Sequence, residues 1–122
     1  MKKSIALFET IFNKKHYKTE IVDSESVSTS FFQIGDNKIE LVSATNNSSP
    51  IAKFLSKNRE GMHHVAFDVE NIKKEMIRLK QVGIRLLNET PKKGADNKLI
   101  CFLHPKDTNG ILIELCQEID RK

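Results

Sequence analysis

One glutamate stands inside an otherwise apolar segment near the C-terminal end of the sequence. Glu114 lies within Ile111-Leu112-Ile113-Glu114-Leu115-Cys116, and strand alternation places Leu112 and Cys116 on the same face as its carboxylate. A buried charge costs on the order of several kcal/mol unless it is paired, protonated or bound to a metal. The pattern marks Glu114 as a candidate metal ligand or acid/base group; an edge strand with Glu114 facing solvent is the structural alternative.

Two histidines open a second strand-like segment, 63–69. Alternation places His64 and Ala66 on one face and His63 on the other, apolar face, so the two rings are expected to separate. The small Ala66 leaves room for a cavity beside His64. A lone strand histidine is more often structural, so the functional reading of His64 depends on its partners.

The two halves of the sequence resemble each other. Residues 39–41, Ile-Glu-Leu, match residues 113–115, and Phe32 matches Phe102. A Lys-Lys pair also opens a predicted helix in each half. This pattern indicates a duplicated unit.

The repeat adds a third residue to the candidate site. Glu40 alone would be an ordinary solvent-facing glutamate. If the repeated units pair their sheets, equivalent strands bring Glu40, His64 and Glu114 toward one cavity. One imidazole and two carboxylates suit a divalent ion such as Mn²⁺, Co²⁺ or Zn²⁺.

The elements that must hold these residues follow from hydrophobic periodicity and turn residues. The first half is predicted to form a helix, three strands and a short helix at 2–13, 17–22, 28–34, 38–43 and 51–57. The second half is predicted to form a strand, a helix and three strands at 63–69, 72–82, 85–88, 99–104 and 111–117. We expect one α+β domain, 1–122, of paired βαβββ modules, with an N-terminal module 1–57 (αβββ) that lacks its first strand and a C-terminal module 58–122.

Composition excludes several classes of function. The 122 residues are 39% hydrophobic and 30% charged, with a net charge of +4, which is typical of a single soluble domain. The longest apolar run, 99–103, is far shorter than the roughly 20 residues of a membrane span. The lysines are interspersed with acids and Trp is absent, so we predict no nucleic-acid partner. No secretory segment is evident, so we expect a cytoplasmic protein.

Other polar residues give weaker signals. His16 is expected to be exposed, His104 to close a turn, and Cys101 and Cys116 to be buried, reduced thiols. Glu25 lies in a polar stretch whose ordinary role is solvation. Lysines around residues 92–98 could meet phosphates or be solvated.

Six motifs in order resemble one known family. They are Gly-Asp-Asn-Lys-Ile-Glu-Leu (35–41), Ser-Pro-Ile-Ala-Lys-Phe-Leu (49–55), Glu-Gly-Met-His-His-Val-Ala-Phe (60–67), Lys-Gly-Ala (93–95), Phe-Leu-His-Pro-Lys (102–106) and Gly-Ile-Leu-Ile-Glu-Leu (110–115). Over essentially the whole chain, the sequence resembles the methylmalonyl-CoA epimerase family of the vicinal-oxygen-chelate, or glyoxalase-like, superfamily. That resemblance implies a metal-holding cup of paired βαβββ modules and a role in propionyl-CoA and succinyl-CoA metabolism.

The resemblance also implies roles for individual residues. It implies metal ligation by Glu40, His64 and Glu114, and an acid/base pair formed by Glu25 and Glu114. Inverting a carbon alpha to a thioester requires removal of a proton from one face and its return to the other, so two protonatable groups must flank the substrate. A divalent metal at the thioester oxygen would stabilise the enolate.

The implied substrate is methylmalonyl-CoA, with Lys93, Gly94 and Ala95 as candidate contacts, and the implied assembly is a homodimer. Epimerases of the family begin with a strand of the His-Ile-Gly-Ile-Ala-Val type, whose histidine is a metal ligand. This sequence has no equivalent. If the protein begins at Met1, we expect reduced metal affinity and activity, and an open strand edge that a partner could cover; the alternative is a longer reading frame that supplies the strand. The alternative is a metal-poor module of the same fold that binds an acyl-CoA or another anion without chemistry.

Overall fold

The chain divides between Glu60 and Gly61 into a first unit, Met1–Glu60, and a second unit, Gly61–Lys122. Residues 1–120 are described by the structure, a computed structural model. The first unit contains α1 (Lys2–Phe12), β1 (Lys18–Val22), β2 (Val27–Ile34), β3 (Asn37–Ala44) and α2 (Pro50–Lys57). The second contains β4 (Val65–Asp68), α3 (Ile72–Gln81), β5 (Lys92–Gly94), β6 (Lys98–Leu103) and β7 (Ile113–Glu118). This element order confirms the predicted α+β fold. No helix within residues 1–120 has the length and hydropathy to cross a membrane.

The first unit packs helix α1 against an antiparallel sheet of order β1-β2-β3. The Phe12 ring contacts Phe32 of β2 edge-on, with centroids 5.3 Å apart, so Phe32 faces the helix. Where the chain enters β1, the Glu9 carboxylate accepts the backbone N–H of His16 and lies 2.9 Å from its ring Nδ1. His16 is therefore half-buried, and its predicted exposure is wrong.

The second unit has a four-stranded sheet of order β4-β7-β6-β5, in which β4 runs parallel to β7 and the other pairs are antiparallel. Asn71 caps α3, because its Oδ1 accepts the backbone N–H of Lys74. The Gln117 side chain of β7 accepts the backbone N–H of Ile72, which fixes the start of the helix over the sheet. The core between helix and sheet consists of Ile72, Met76, Cys101, Leu103 and Leu115.

The second strand of this unit lies elsewhere than predicted. Residues 85–88 make only a single bridge, between Leu86 and Leu103, and the strand is β5, inside the predicted loop. The Asn88 side chain accepts the backbone N–H of Phe102 in β6. This N–H is therefore bonded to a side chain instead of to the backbone carbonyl of a paired strand. After β5, Asp96 and Asn97 both have positive φ, which closes a tight connection to β6.

Candidate active site

Glu114 is held in the interior of a sheet. It lies on β7, opposite Ala66 of β4 on one side and Phe102 of β6 on the other. Its neighbour Leu115 belongs to the core under α3, so alternation turns Glu114 to the opposite face. The Glu114 side chain is 13% exposed. The alternative of a solvent-facing glutamate on an edge strand is therefore wrong.

The His64 ring lies beside this carboxylate. Its Nε2 is 3.3 Å from Oε1 of Glu114, and its side chain is 18% exposed. The Phe102 ring meets it edge-on, with centroids 5.5 Å apart and an interplanar angle of 80°. Two candidate residues from distant parts of the sequence thus form one mostly buried, polar pair.

His63 is a member of this cluster that the sequence pattern missed. Its Nδ1 is 2.9 Å from Nδ1 of His64, so the predicted separation of the two rings is wrong. Alternation applies only inside a regular strand, and β4 begins at Val65, after both histidines. Burial lowers the pKa of His63, the neighbouring His64 lowers it further, and Glu114 acts in the opposite direction. The adjacency of two histidines was the only signal in the sequence that could have identified it.

The pair has the geometry of two ligands of one divalent ion. A nitrogen and an oxygen that each lie about 2.1 Å from a tetrahedral ion are about 3.4 Å apart, close to the 3.3 Å between His64 and Glu114. Within residues 1–120, no group of three or more His, Cys, Asp or Glu side chains is arranged to hold a metal. His64 and Glu114 therefore fit as two donors, and an ion would need further ligands.

By strand register, Glu40 of the first unit corresponds to Glu114 of the second, but Glu40 is exposed whereas the Glu114 side chain is mostly buried. Glu40 lies on β3 opposite Phe31, as Glu114 lies on β7 opposite Phe102. Phe32 faces α1, so alternation turns Phe31 and Glu40 to the other face of their sheet. The residue equivalent to Phe102 is therefore Phe31, and the predicted match to Phe32 is wrong by one position. Ligation by Glu40 stays a prediction.

Glu25 ends a short 3₁₀ helix, Asp23–Glu25, that joins β1 to β2. Ser26, which follows it, has a φ of 53°, and this left-handed turn leads directly into Val27, the first residue of β2. The Glu25 side chain is half-buried, while Asp23 on the same helix is exposed. The acid/base role of Glu25 stays a prediction.

The candidate substrate contacts lie at the end of β5. Lys93 is exposed, Ala95 is half-buried and Gly94 is buried. A Cβ on Gly94 would approach Cδ1 of Ile100 to 2.8 Å and its Cγ2 to 3.0 Å, so packing against Ile100 favours a glycine there. Substrate contact by these residues stays a prediction.

Three expectations for weaker candidates are confirmed. Cys101 and Cys116 are free thiols, and both are buried. Burial raises the pKa of the Cys101 thiol. The ring Nδ1 of His104 accepts the backbone N–H of Lys106 and closes the turn after β6.

Comparisons with known proteins agree with this architecture. A model of the Glyoxalase/Bleomycin resistance protein/Dioxygenase superfamily matches residues 1–102. Mitochondrial methylmalonyl-CoA epimerase of Homo sapiens is 39% identical over 118 residues, which are 96% of this chain and 67% of that protein. Ethylmalonyl-CoA/methylmalonyl-CoA epimerase of Cereibacter sphaeroides is 46% identical over 93 residues, 75% of this chain and 69% of that protein.

A solved structure of methylmalonyl-CoA epimerase in complex with methylmalonyl-CoA and NH₄⁺ has a TM-score of 0.93 and 27% identity. The match covers 98% of this chain and 88% of that one. The chain therefore belongs to the methylmalonyl-CoA epimerase family, a family of isomerases within the glyoxalase superfamily.

Proposed function

We propose that this protein interconverts the (R) and (S) epimers of methylmalonyl-CoA by moving the proton on the α-carbon. The observation that carries the proposal is the mostly buried Glu114 carboxylate, 3.3 Å from His64 on the face of the sheet opposite α3. Family membership supports the substrate, because the relatives are named for this reaction and one related structure holds methylmalonyl-CoA.

Glu114 is suited to proton transfer because a carboxylate can accept and return a proton, and its side chain lies on the face of the sheet that turns away from the core under α3. We assign it to one face of the α-carbon and Glu25 to the other, so that one removes the proton while the other returns one. Oε1 of Glu114 lies nearest to His64, and we assign the proton transfer to Oε2. This division lets one carboxylate bind through one oxygen and act as a base through the other.

The same pair is proposed to hold a divalent ion, Co²⁺, Mn²⁺ or Zn²⁺, through Nε2 of His64 and Oε1 of Glu114. The family resemblance adds Glu40 as a third ligand. When bound, the ion supplies Lewis-acid stabilisation for negative charge on the thioester oxygen. The net charge of +4 and the exposed Lys93 favour the anionic CoA ester.

The proposal is tested by incubating the protein with one epimer of methylmalonyl-CoA in D₂O. We expect deuterium at the α-carbon and formation of the other epimer. Glu114→Gln should lower kcat/KM by about 10²–10⁴-fold, the usual contribution of a general base. The matched control is Glu118→Gln, an exposed glutamate on the same strand. Binding of the ester without deuterium incorporation would contradict the proposal and favour a non-catalytic acyl-CoA-binding module.

A further inference from the structure

Three side chains of the second unit, Glu114, His64 and His63, are joined by consecutive polar contacts. Oε1 of Glu114 lies 3.3 Å from Nε2 of His64, and Nδ1 of His64 lies 2.9 Å from Nδ1 of His63. The two imidazole rings are nearly perpendicular, at 89°. Both nitrogens of His64 therefore face a polar group that can determine where its proton resides.

The contact between the two histidines restricts their tautomers. A hydrogen bond between two imidazole nitrogens holds one proton, so one ring donates and the other accepts. An Nε2 that binds a metal carries no proton, so a neutral His64 must then carry its proton on Nδ1. Nδ1 of His63 is the atom placed to accept that proton.

We infer that His63 is a positioning residue for the metal-loaded site: its Nδ1 accepts the Nδ1–H of His64, which leaves the Nε2 lone pair of His64 available to the ion beside Glu114. This inference rests on the metal-binding part of the proposed function. Metal-bound histidines usually donate their second N–H to a carboxylate, a backbone carbonyl or water. Here the partner is the imidazole of the adjacent residue.

Phe102 and His63 make different contributions to the position of His64. The edge-on Phe102 ring restrains the plane of the imidazole but offers no lone pair, so it cannot select a tautomer. His63 offers a nitrogen lone pair at hydrogen-bond distance. The irregular backbone before Val65 allows both histidine rings to lie on one side, which a regular strand would prevent.

The test compares three variants by Co²⁺ titration and by ¹⁵N spectra of the histidine rings. His63→Phe keeps a ring but removes the acceptor, and we expect it to weaken Co²⁺ binding about 10–100-fold. His63→Asn restores an acceptor oxygen and should recover part of that affinity. Met62→Leu, at the neighbouring exposed position, should leave affinity unchanged.

The ring spectra separate this inference from the proposed function. In the Zn²⁺-loaded protein we expect a hydrogen-bonded Nδ1–H signal from His64, which His63→Phe abolishes. In the metal-free protein His63→Phe should change the tautomer ratio of His64. Unchanged Co²⁺ affinity and unchanged His64 spectra in a folded His63→Phe protein would overturn the role of His63. If the wild-type protein neither binds metal nor epimerises the ester, the proposed function is contradicted. The metal-free spectra would still show whether His63 determines the tautomer of His64.

Discussion

At the scale of single residues, the candidate site consists of polar groups that a sheet interior would exclude unless they interact. Glu114 and His64 are both less than one-fifth exposed, and each contacts the other. Among residues 1–120, no buried side-chain nitrogen or oxygen lacks a hydrogen-bond partner. The fold therefore holds these two polar side chains in contact with each other, which is consistent with a chemical role for the pair.

The two-base assignment makes a prediction for Glu25. Glu25→Gln should lower interconversion of the epimers by about 10²–10⁴-fold, because one face of the α-carbon loses its proton carrier. The remaining base, Glu114, should still exchange the α-proton of one epimer with solvent. Deuterium incorporation measured separately from each pure epimer checks this expectation.

The control for that prediction is Asp23→Asn, an exposed carboxylate on the same short helix. It should leave both interconversion and exchange unchanged. If Glu25→Gln interconverts the epimers at the wild-type rate, Glu25 is not one of the two bases.

Part of the site could be predicted from local patterns. An isolated carboxylate in an apolar strand correctly indicated that the Glu114 side chain is mostly buried, since alternation determines which neighbours share its face. The contact with His63 could not be predicted, because it depends on β4 beginning at Val65. The pairing of Phe31 with Glu40 could not be predicted either. A one-residue shift between the two repeats can be recognised only when the strand pairing is known.

At the scale of elements, β5 shows how tertiary packing overrides local propensity. Its residues, Lys92, Lys93 and Gly94, have no strand pattern, whereas residues 85–88 do. The strand that pairs with β6 is β5, where Gly94 packs closely against Ile100 and a three-residue connection leads into β6. Strand propensity depends on packing against neighbours, which the local sequence does not contain.

Gly94→Ala is expected to destabilise the protein by about 1–3 kcal/mol, because the new methyl group would overpack against Ile100. Ile100→Val removes the closest atom and should recover part of that loss when the two changes are combined. The free energy of unfolding in urea for the wild type, both single variants and the double variant measures this coupling. A purely additive double variant would contradict the packing explanation.

At the scale of the whole molecule, hydrophobic periodicity predicted the helices and most of the strands, the matched residues of the two halves predicted the repeat, and the family resemblance supplied the paired-module fold. Three antiparallel strands follow a helix in each unit, and in the second unit β4 joins this sheet beside β7. The homodimer implied by the family resemblance stays a prediction, and the molar mass in solution, once or twice 13.9 kDa, tests it.

Overall stability is expected to depend on acid pH through Asp107. Its carboxylate accepts two hydrogen bonds from the Arg85 side chain and one from the Arg85 backbone, which lower its pKa well below the ordinary value of 3.8. A lowered pKa in the folded state stabilises the protein fully above the unfolded-state value. This contribution is lost as the pH falls below about 3.8 toward the folded-state pKa.

Asp107→Asn should therefore unfold at a lower urea concentration than the wild type at pH 7, and the difference should narrow from pH 4 to pH 2. Glu70→Gln, an exposed glutamate in the same unit, is the control and should not change the profile. An Asp107→Asn difference that stays constant with pH would show that the ion pair does not contribute as described.

The parallel pairing of β4 with β7 also has a consequence during synthesis on the ribosome. Val65 pairs with Ile113, so helix α3 and strands β5 and β6 all lie between the two partners in the sequence. Pairing of this kind is slow to form, because a long loop must close first. His64 leaves the ribosome long before Glu114, and the nascent chain cannot place the two together until β7 has emerged. The candidate site can therefore form only near the end of synthesis, after most of the hydrophobic residues of the chain have been added.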